Sequence, residues 1–135
     1  MTNPNAAKGA KFERDIVAFL RAVFERLVRR PHQEGFVDVG DIHLSPFVLQ
    51  AKDWADVTSA LRVGLAGAQA QARAAGEPYG VVVLKTRGSN ISQARVAMTL
   101  TTFRDVVARL LSAERLLERY APAAYHNEHL PTIKE

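Results

Sequence analysis

The stretch Tyr79–Leu84, read Tyr-Gly-Val-Val-Val-Leu, limits the possible folds more than any other part of the chain. Six apolar residues in a row, long enough for a strand and short for a helix, read as a strand buried on both faces. A strand of that kind needs sheet neighbours and a helical layer above and below it. The chain supplies both. Residues 6–30 repeat Phe12, Ile16, Phe19, Leu20, Val23 and Leu27 at helical spacing, and Pro31 stops the run. Residues 57–75 are alanine-rich, with Val57, Leu61, Leu65, Ala68 and Ala72 on one side and Gly76 as the closing cap. A third helix is expected from Thr102, with Asp105 in a weak capping-box position, running through Leu110 and Leu117 to about Arg119. Strands are expected over 36–44 with a break near Gly40, over 47–52 after the Ser45-Pro46 turn, and over 95–100. The resulting order is α-β-β-α-β-β-α, an α/β fold with a mixed β-sheet flanked by helices.

Composition narrows the class. At 135 residues and 47% apolar content, one domain with a genuine core is expected, over 1–120. The stretch 121–135, with Pro122 and Pro131, reads as a loose tail. The absence of cysteine excludes a disulfide scaffold, a thiolate metal site and a cysteine nucleophile. No apolar run approaches the ~20 residues of a membrane span, and the polar start of the chain does not read as a secretory signal. The expectation is a cytoplasmic protein with no membrane partner. Eighteen basic against fourteen acidic residues give +4, compatible with a polyanionic partner. Between 78 and 104 there are four basic residues and no acidic one.

Two departures from pattern suggest chemistry. On a helical wheel Glu13 falls between Ile16, Val17 and Leu20, inside the apolar stripe. A carboxylate there needs an ion pair or a metal. The second departure is the hairpin. Ile42, Leu44, Phe47, Leu49 and Ala51 form one apolar set, while Asp41, His43, Gln50 and Lys52 point the other way with Val48. An even turn centred between Ser45 and Pro46 pairs residues whose numbers sum to 91. Asp41 then lies across from Gln50, with Lys52 on the diagonal. A plain solvated hairpin face would account for Asp41 and Lys52 alone.

Together these groups suit phosphodiester hydrolysis. Mg²⁺ is hard, takes oxygen ligands, and needs one or two protein carboxylates. Asp41 and Glu13 supply carboxylates, and the Gln50 amide oxygen and Ala51 carbonyl are further donors. Lys52 would orient the attacking water and offset developing negative charge.

Asp41 followed by Gln50-Ala51-Lys52 resembles the Asp…(D/E)-x-K signature of the PD-(D/E)XK nucleases. More narrowly, the chain resembles archaeal-type Holliday-junction resolvases and their phage relatives. The resemblance rests on Lys8-Gly9-Ala10-Lys11-Phe12-Glu13-Arg14, on Val28-Arg29-Arg30-Pro31, on Gly76-Glu77-Pro78-Tyr79 with Lys85-Thr86-Arg87-Gly88, and on Leu100-Thr101-Thr102-Phe103. It covers about residues 8–107. It implies a restriction-endonuclease-like fold and a Mg²⁺-dependent endonuclease, with Mn²⁺ able to substitute. It also implies a homodimer that cuts a four-way DNA junction. Glu13, Asp41, Gln50 and Lys52 become catalytic residues, with Asp41, Gln50, Glu13 and Ala51 at the metal. Lys8, Lys11, Arg29, Arg30, Lys85 and Arg87 become phosphate contacts. The sequence departs from the family in Gln50, where the usual residue is Glu, and in the His32-Gln33-Glu34-Gly35 loop. Gln50 offers an oxygen without charge.

Other readings stay open. A restriction- or repair-type nuclease of the same fold would use the same residues. A DNA-binding module that has lost its metal through Gln50 would bind without cutting. Asp38 replaces Asp41 as the acid if the strand bulges at Gly40. His126 and His129 lie in a proline-flanked stretch and read as solvated. Trp54 reads as core packing at the start of the second helix.

Overall fold

The computed structural model describes residues 3–31 and 40–125. Helix α1, Pro4–Phe24, is capped by Asn3, whose side chain accepts from the Asn5 N–H at 3.0 Å. It ends earlier than Pro31 would dictate. Glu25 takes φ 46°, and the chain passes through a 3₁₀ turn at Glu25–Leu27. This bend swings Val28 fully into the core, and the Arg21 guanidinium donates twice to the Val28 carbonyl, at 3.1 and 3.2 Å. The apolar stripe is therefore shorter than its spacing suggests. Phe12, Ile16 and Val17 are buried, whereas Phe19, Val23 and Leu27 are exposed.

Strands β1, Ile42–Leu44, and β2, Phe47–Lys52, form the hairpin. Helix α2, Val57–Ala75, carries the chain over to β3, Tyr79–Leu84, which runs parallel to β2. Parallel neighbours require such a crossover. A 3₁₀ turn at Ile91–Gln93 precedes β4, Arg95–Ala97, antiparallel to β3. Helix α3, Leu100–Tyr120, and the single turn α4, Pro122–Tyr125, complete the described chain. The sheet order is β1-β2-β3-β4. This is an α/β architecture with a four-stranded mixed sheet and three long helices. It differs from the expected order by the two 3₁₀ turns and by α4, which opens the segment expected to be loose.

Three boundaries move relative to the sequence reading. β1 begins at Ile42, and 36–39 lie outside the described residues. β4 stops at Ala97. α3 starts at Leu100, because Thr99 and not Thr102 is the cap: its hydroxyl accepts from the Thr102 N–H at 3.1 Å.

The sheet separates two apolar layers. On one face α1 and Val28 pack on Ile42, Leu49, Val81 and Val83. On the other, Ala60 of α2 packs on Val82 and Leu84, with Leu61 and Leu65 beside them. All six residues of β3 are buried, as the apolar run predicts. α2 lies very close to the sheet. A Cβ on Gly80 would run into the Ala68 carbonyl of α2. Among the described residues, no helix is long and apolar enough to cross a membrane.

Candidate active site

The hairpin register is Ile42↔Leu49, His43↔Val48 and Leu44↔Phe47. Each pair sums to 91, so the turn is even, as the sequence argument requires. Asp41 precedes β1 by one residue, and its Oδ2 accepts from the Ala51 backbone N–H at 2.8 Å. That donor sits where β2 outruns the short β1, so the carboxylate takes the place of a ladder partner. A hydrogen bond to a charged group contributes about 1.5–3 kcal/mol. Asp41 is thereby fixed on the backbone of Ala51, the residue between Gln50 and Lys52 in sequence.

Gln50 and Lys52 lie on the α2 face, in register with the buried Val82 and Leu84. The Gln50 Oε1 is buried and has no hydrogen-bond partner among the described residues. It has room there because residue 67 is glycine: a Cβ on Gly67 would stand 2.5 Å from that oxygen. An orphaned acceptor of this kind costs about 1–3 kcal/mol and calls for an explanation. The Lys52 Nζ rests 4.6 Å from the centroid of the Trp54 ring. Trp54 is 41% exposed, so it is a platform for that ammonium and not the core residue expected from sequence.

Glu13 meets a partner of its own. Its Oε2 accepts from Arg30 at 2.9 Å, and its side chain keeps a quarter of its surface exposed. It sits at the edge of the stripe. The Arg30 that holds it is brought over by backbone pairing of Arg29 with His43, at 2.8 and 2.7 Å. Among the described residues, no group of three His, Asp or Glu gathers to hold a metal.

The residue that sequence reasoning missed is Asp53. No spacing singles it out beside Lys52, yet its side chain is 5% exposed. Lys85 Nζ stands 3.5 Å and Arg87 3.9 Å from its oxygens. A cleft of about 380 Å³ runs past it, lined by Lys8, Ala51, Lys52, Asp53, Trp54 and Arg87. A second hollow of about 220 Å³ is shared by Lys8, Asp53, Lys85 and Arg87. Lys8, Lys85 and Arg87 therefore converge beside Lys52 from α1 and from the end of β3. Lys11 instead pairs with Asp15 at 2.7 Å and borders a different hollow. Arg29 and Arg30 are engaged at the β1 edge. Two residues beyond Trp54, Asp56 caps α2. Its hydrogen bonds from the Ser59 hydroxyl and N–H hold its carboxyl below the ordinary 3.8. Asp38, His126 and His129 lie outside the described residues.

No protein-family model, curated protein or solved structure matches the chain.

Proposed function

We propose that this protein is a metal-dependent DNA endonuclease, acting on four-way junctions as a Holliday-junction resolvase. The observation that carries this reading is the Asp41 carboxylate held on the Ala51 N–H, between Gln50 and Lys52. The antiparallel hairpin joined to a parallel strand supports a restriction-endonuclease-like arrangement. A cytoplasmic site of action accompanies that reading.

The residues present suit one hard cation. The orphaned Gln50 Oε1, in space that Gly67 leaves clear, is a neutral oxygen donor in want of a partner. Asp41 supplies the charge, the Ala51 carbonyl is a third donor, and Glu13 would join them on releasing Arg30. Mg²⁺, when bound, supplies positive charge to the scissile phosphate and makes water easier to deprotonate there. Lys52, steadied on Trp54, orients the attacking water and offsets charge as the phosphorus becomes crowded. Lys8, Lys85 and Arg87 hold flanking phosphates and carry no sequence information. Lys11, Arg29 and Arg30 join them at the margin.

The Glu13–Arg30 pair favours a second reading, a DNA-binding module without catalysis. Incubation with a synthetic four-way junction and a matched linear duplex, in Mg²⁺ or Mn²⁺, separates the possibilities. Metal-dependent cutting of the junction is expected. Preference for the duplex assigns a restriction- or repair-type nuclease, and tight junction binding with no cutting in either metal assigns the module.

A further inference from the structure

The indole of Trp54 is only partly taken up by its contact with Lys52. The residue stays 41% exposed although the ammonium lies over the ring. It borders the cleft of about 380 Å³ that Lys52 also lines, and a further hollow of about 180 Å³ that Lys52 does not line. The lining of that second hollow includes Trp54, Val57, Leu84, Lys85, Arg87 and Arg95. An aromatic and two aliphatic side chains therefore share one small space with three cations.

The charges around the ring do not cancel. Across the two hollows Lys8, Lys52, Lys85, Arg87 and Arg95 stand against a single lining carboxylate, Asp53. Asp53 is nearly buried and lies 3.5 Å from Lys85 and 3.9 Å from Arg87, so it steadies those two cations beside the indole without neutralising the group. A flat aromatic surface next to an excess of positive charge is the chemistry that receives a nucleotide, with the base on the ring and phosphates on the cations. Size agrees. A cavity of ~150 Å³ holds one benzene ring, so a hollow of about 180 Å³ suits a single base better than a base pair. Inside a duplex the faces of each base are covered by its stacked neighbours, so only an unstacked base can lie on Trp54.

We propose that this hollow takes one unpaired nucleotide of a DNA strand, its base stacked on Trp54 and its flanking phosphates on Lys85, Arg87 and Arg95. The duplex is then open where it passes Trp54. This rests on the reading of DNA as the ligand, and it requires neither metal nor cutting.

Trp54 is the only tryptophan of the chain, so its fluorescence reports on the hollow directly. The probes are a short oligothymidylate, a blunt duplex of equal length and free thymidine monophosphate, each added to the full chain without metal. Saturable quenching is expected from the oligothymidylate, with little from the other two at the same nucleotide concentration. By anisotropy of the labelled strand, Trp54→Ala should bind it roughly 5- to 150-fold more weakly, the worth of one stacked base, while duplex affinity holds. Trp54→Phe keeps an aromatic face and should recover most of that loss. A strand of abasic residues should bind the wild type and Trp54→Ala equally, which a merely structural role for the indole would not produce. Equal quenching by the duplex overturns the proposal. So does an undiminished strand affinity in Trp54→Ala, or a loss that the abasic strand shares. Quenching by the free monophosphate as strong as by the strand overturns it in favour of a mononucleotide site. DNA binding with no quenching sinks this proposal alone, whereas no binding of strand or duplex sinks the reading of DNA as the ligand with it.

Discussion

Helices α2 and α3 are nearly equal in length, 19 and 21 residues, and meet opposite fates. α2 carries the smaller side chains and lies close against the sheet, burying Ala60, Gly64, Ala68, Gln71 and Ala72. α3 carries the larger apolar ones and buries nothing. Hydrophobicity alone therefore does not decide which helix covers the sheet. What decides is how close two backbones can come, and Gly80 beneath Ala68 sets that distance for α2. The consequence reaches the candidate site, because Gln50 and Lys52 lie under α2 and take their positions from its close approach. α3, with larger side chains, leaves Leu110, Leu111, Leu116, Leu117 and Tyr120 exposed.

The contrast can be broken experimentally. The largest effect is expected from Lys52→Ala, which on the proposed nuclease reading removes the cation beside the reacting phosphate. Junction cutting should fall at least about 100-fold in a gel assay while junction binding changes little. On the packing side, Gly80→Ala should lower the unfolding free energy by about 3 kcal/mol in urea titration, because the rigid Ala68 backbone must give way. A loss close to zero would mean that α2 is not closely seated. Gly67→Ala should cost about 1 kcal/mol by crowding the Gln50 oxygen, and should raise the Mg²⁺ concentration needed for cutting. On the other helix, Leu111→Ala, at a half-exposed position, should stay within about 0.5 kcal/mol of the wild type. The smallest effect concerns Asp56. Its carboxyl titrates below the ordinary 3.8, so the capping contribution is complete above that pH and fades as the pH falls through the lowered value. Asp56→Asn keeps a cap and loses the titration. The stability difference between the two proteins should therefore shrink on acidification below about 3.8.

Much of this was legible in the sequence where spacing and sterics act alone. The alternation around Ser45-Pro46 set the register that brings Asp41 to β2, and Gly76 closes α2 in the left-handed conformation at φ 73°. The apolar run of β3 is buried along its whole length. Choices between near-equal local options were not legible. Thr99, Thr101 and Thr102 can each cap a helix, and only the fold selects Thr99. The end of α1 depends on Glu25 turning so that Val28 reaches the core. Glu13 looked buried on a wheel, but the wheel does not contain Arg30, which arrives from residues beyond the helix. Asp53 escaped notice, and Trp54 read as core packing, for the same reason. Their partners, Lys85 and Arg87 for one and Lys52 for the other, are fixed by strand pairing and by the turn after β2.

The central claim is that Asp41, held on the Ala51 N–H, and Lys52, the next residue along β2, make a cutting centre for DNA. Its most direct test is strand cleavage of a labelled four-way junction in Mg²⁺ by the wild type, Asp41→Asn and Lys52→Ala at equal junction occupancy. The account predicts cutting by the wild type and none by either variant. Cutting by a variant at the wild-type rate, or an inert wild type in both Mg²⁺ and Mn²⁺, would contradict it.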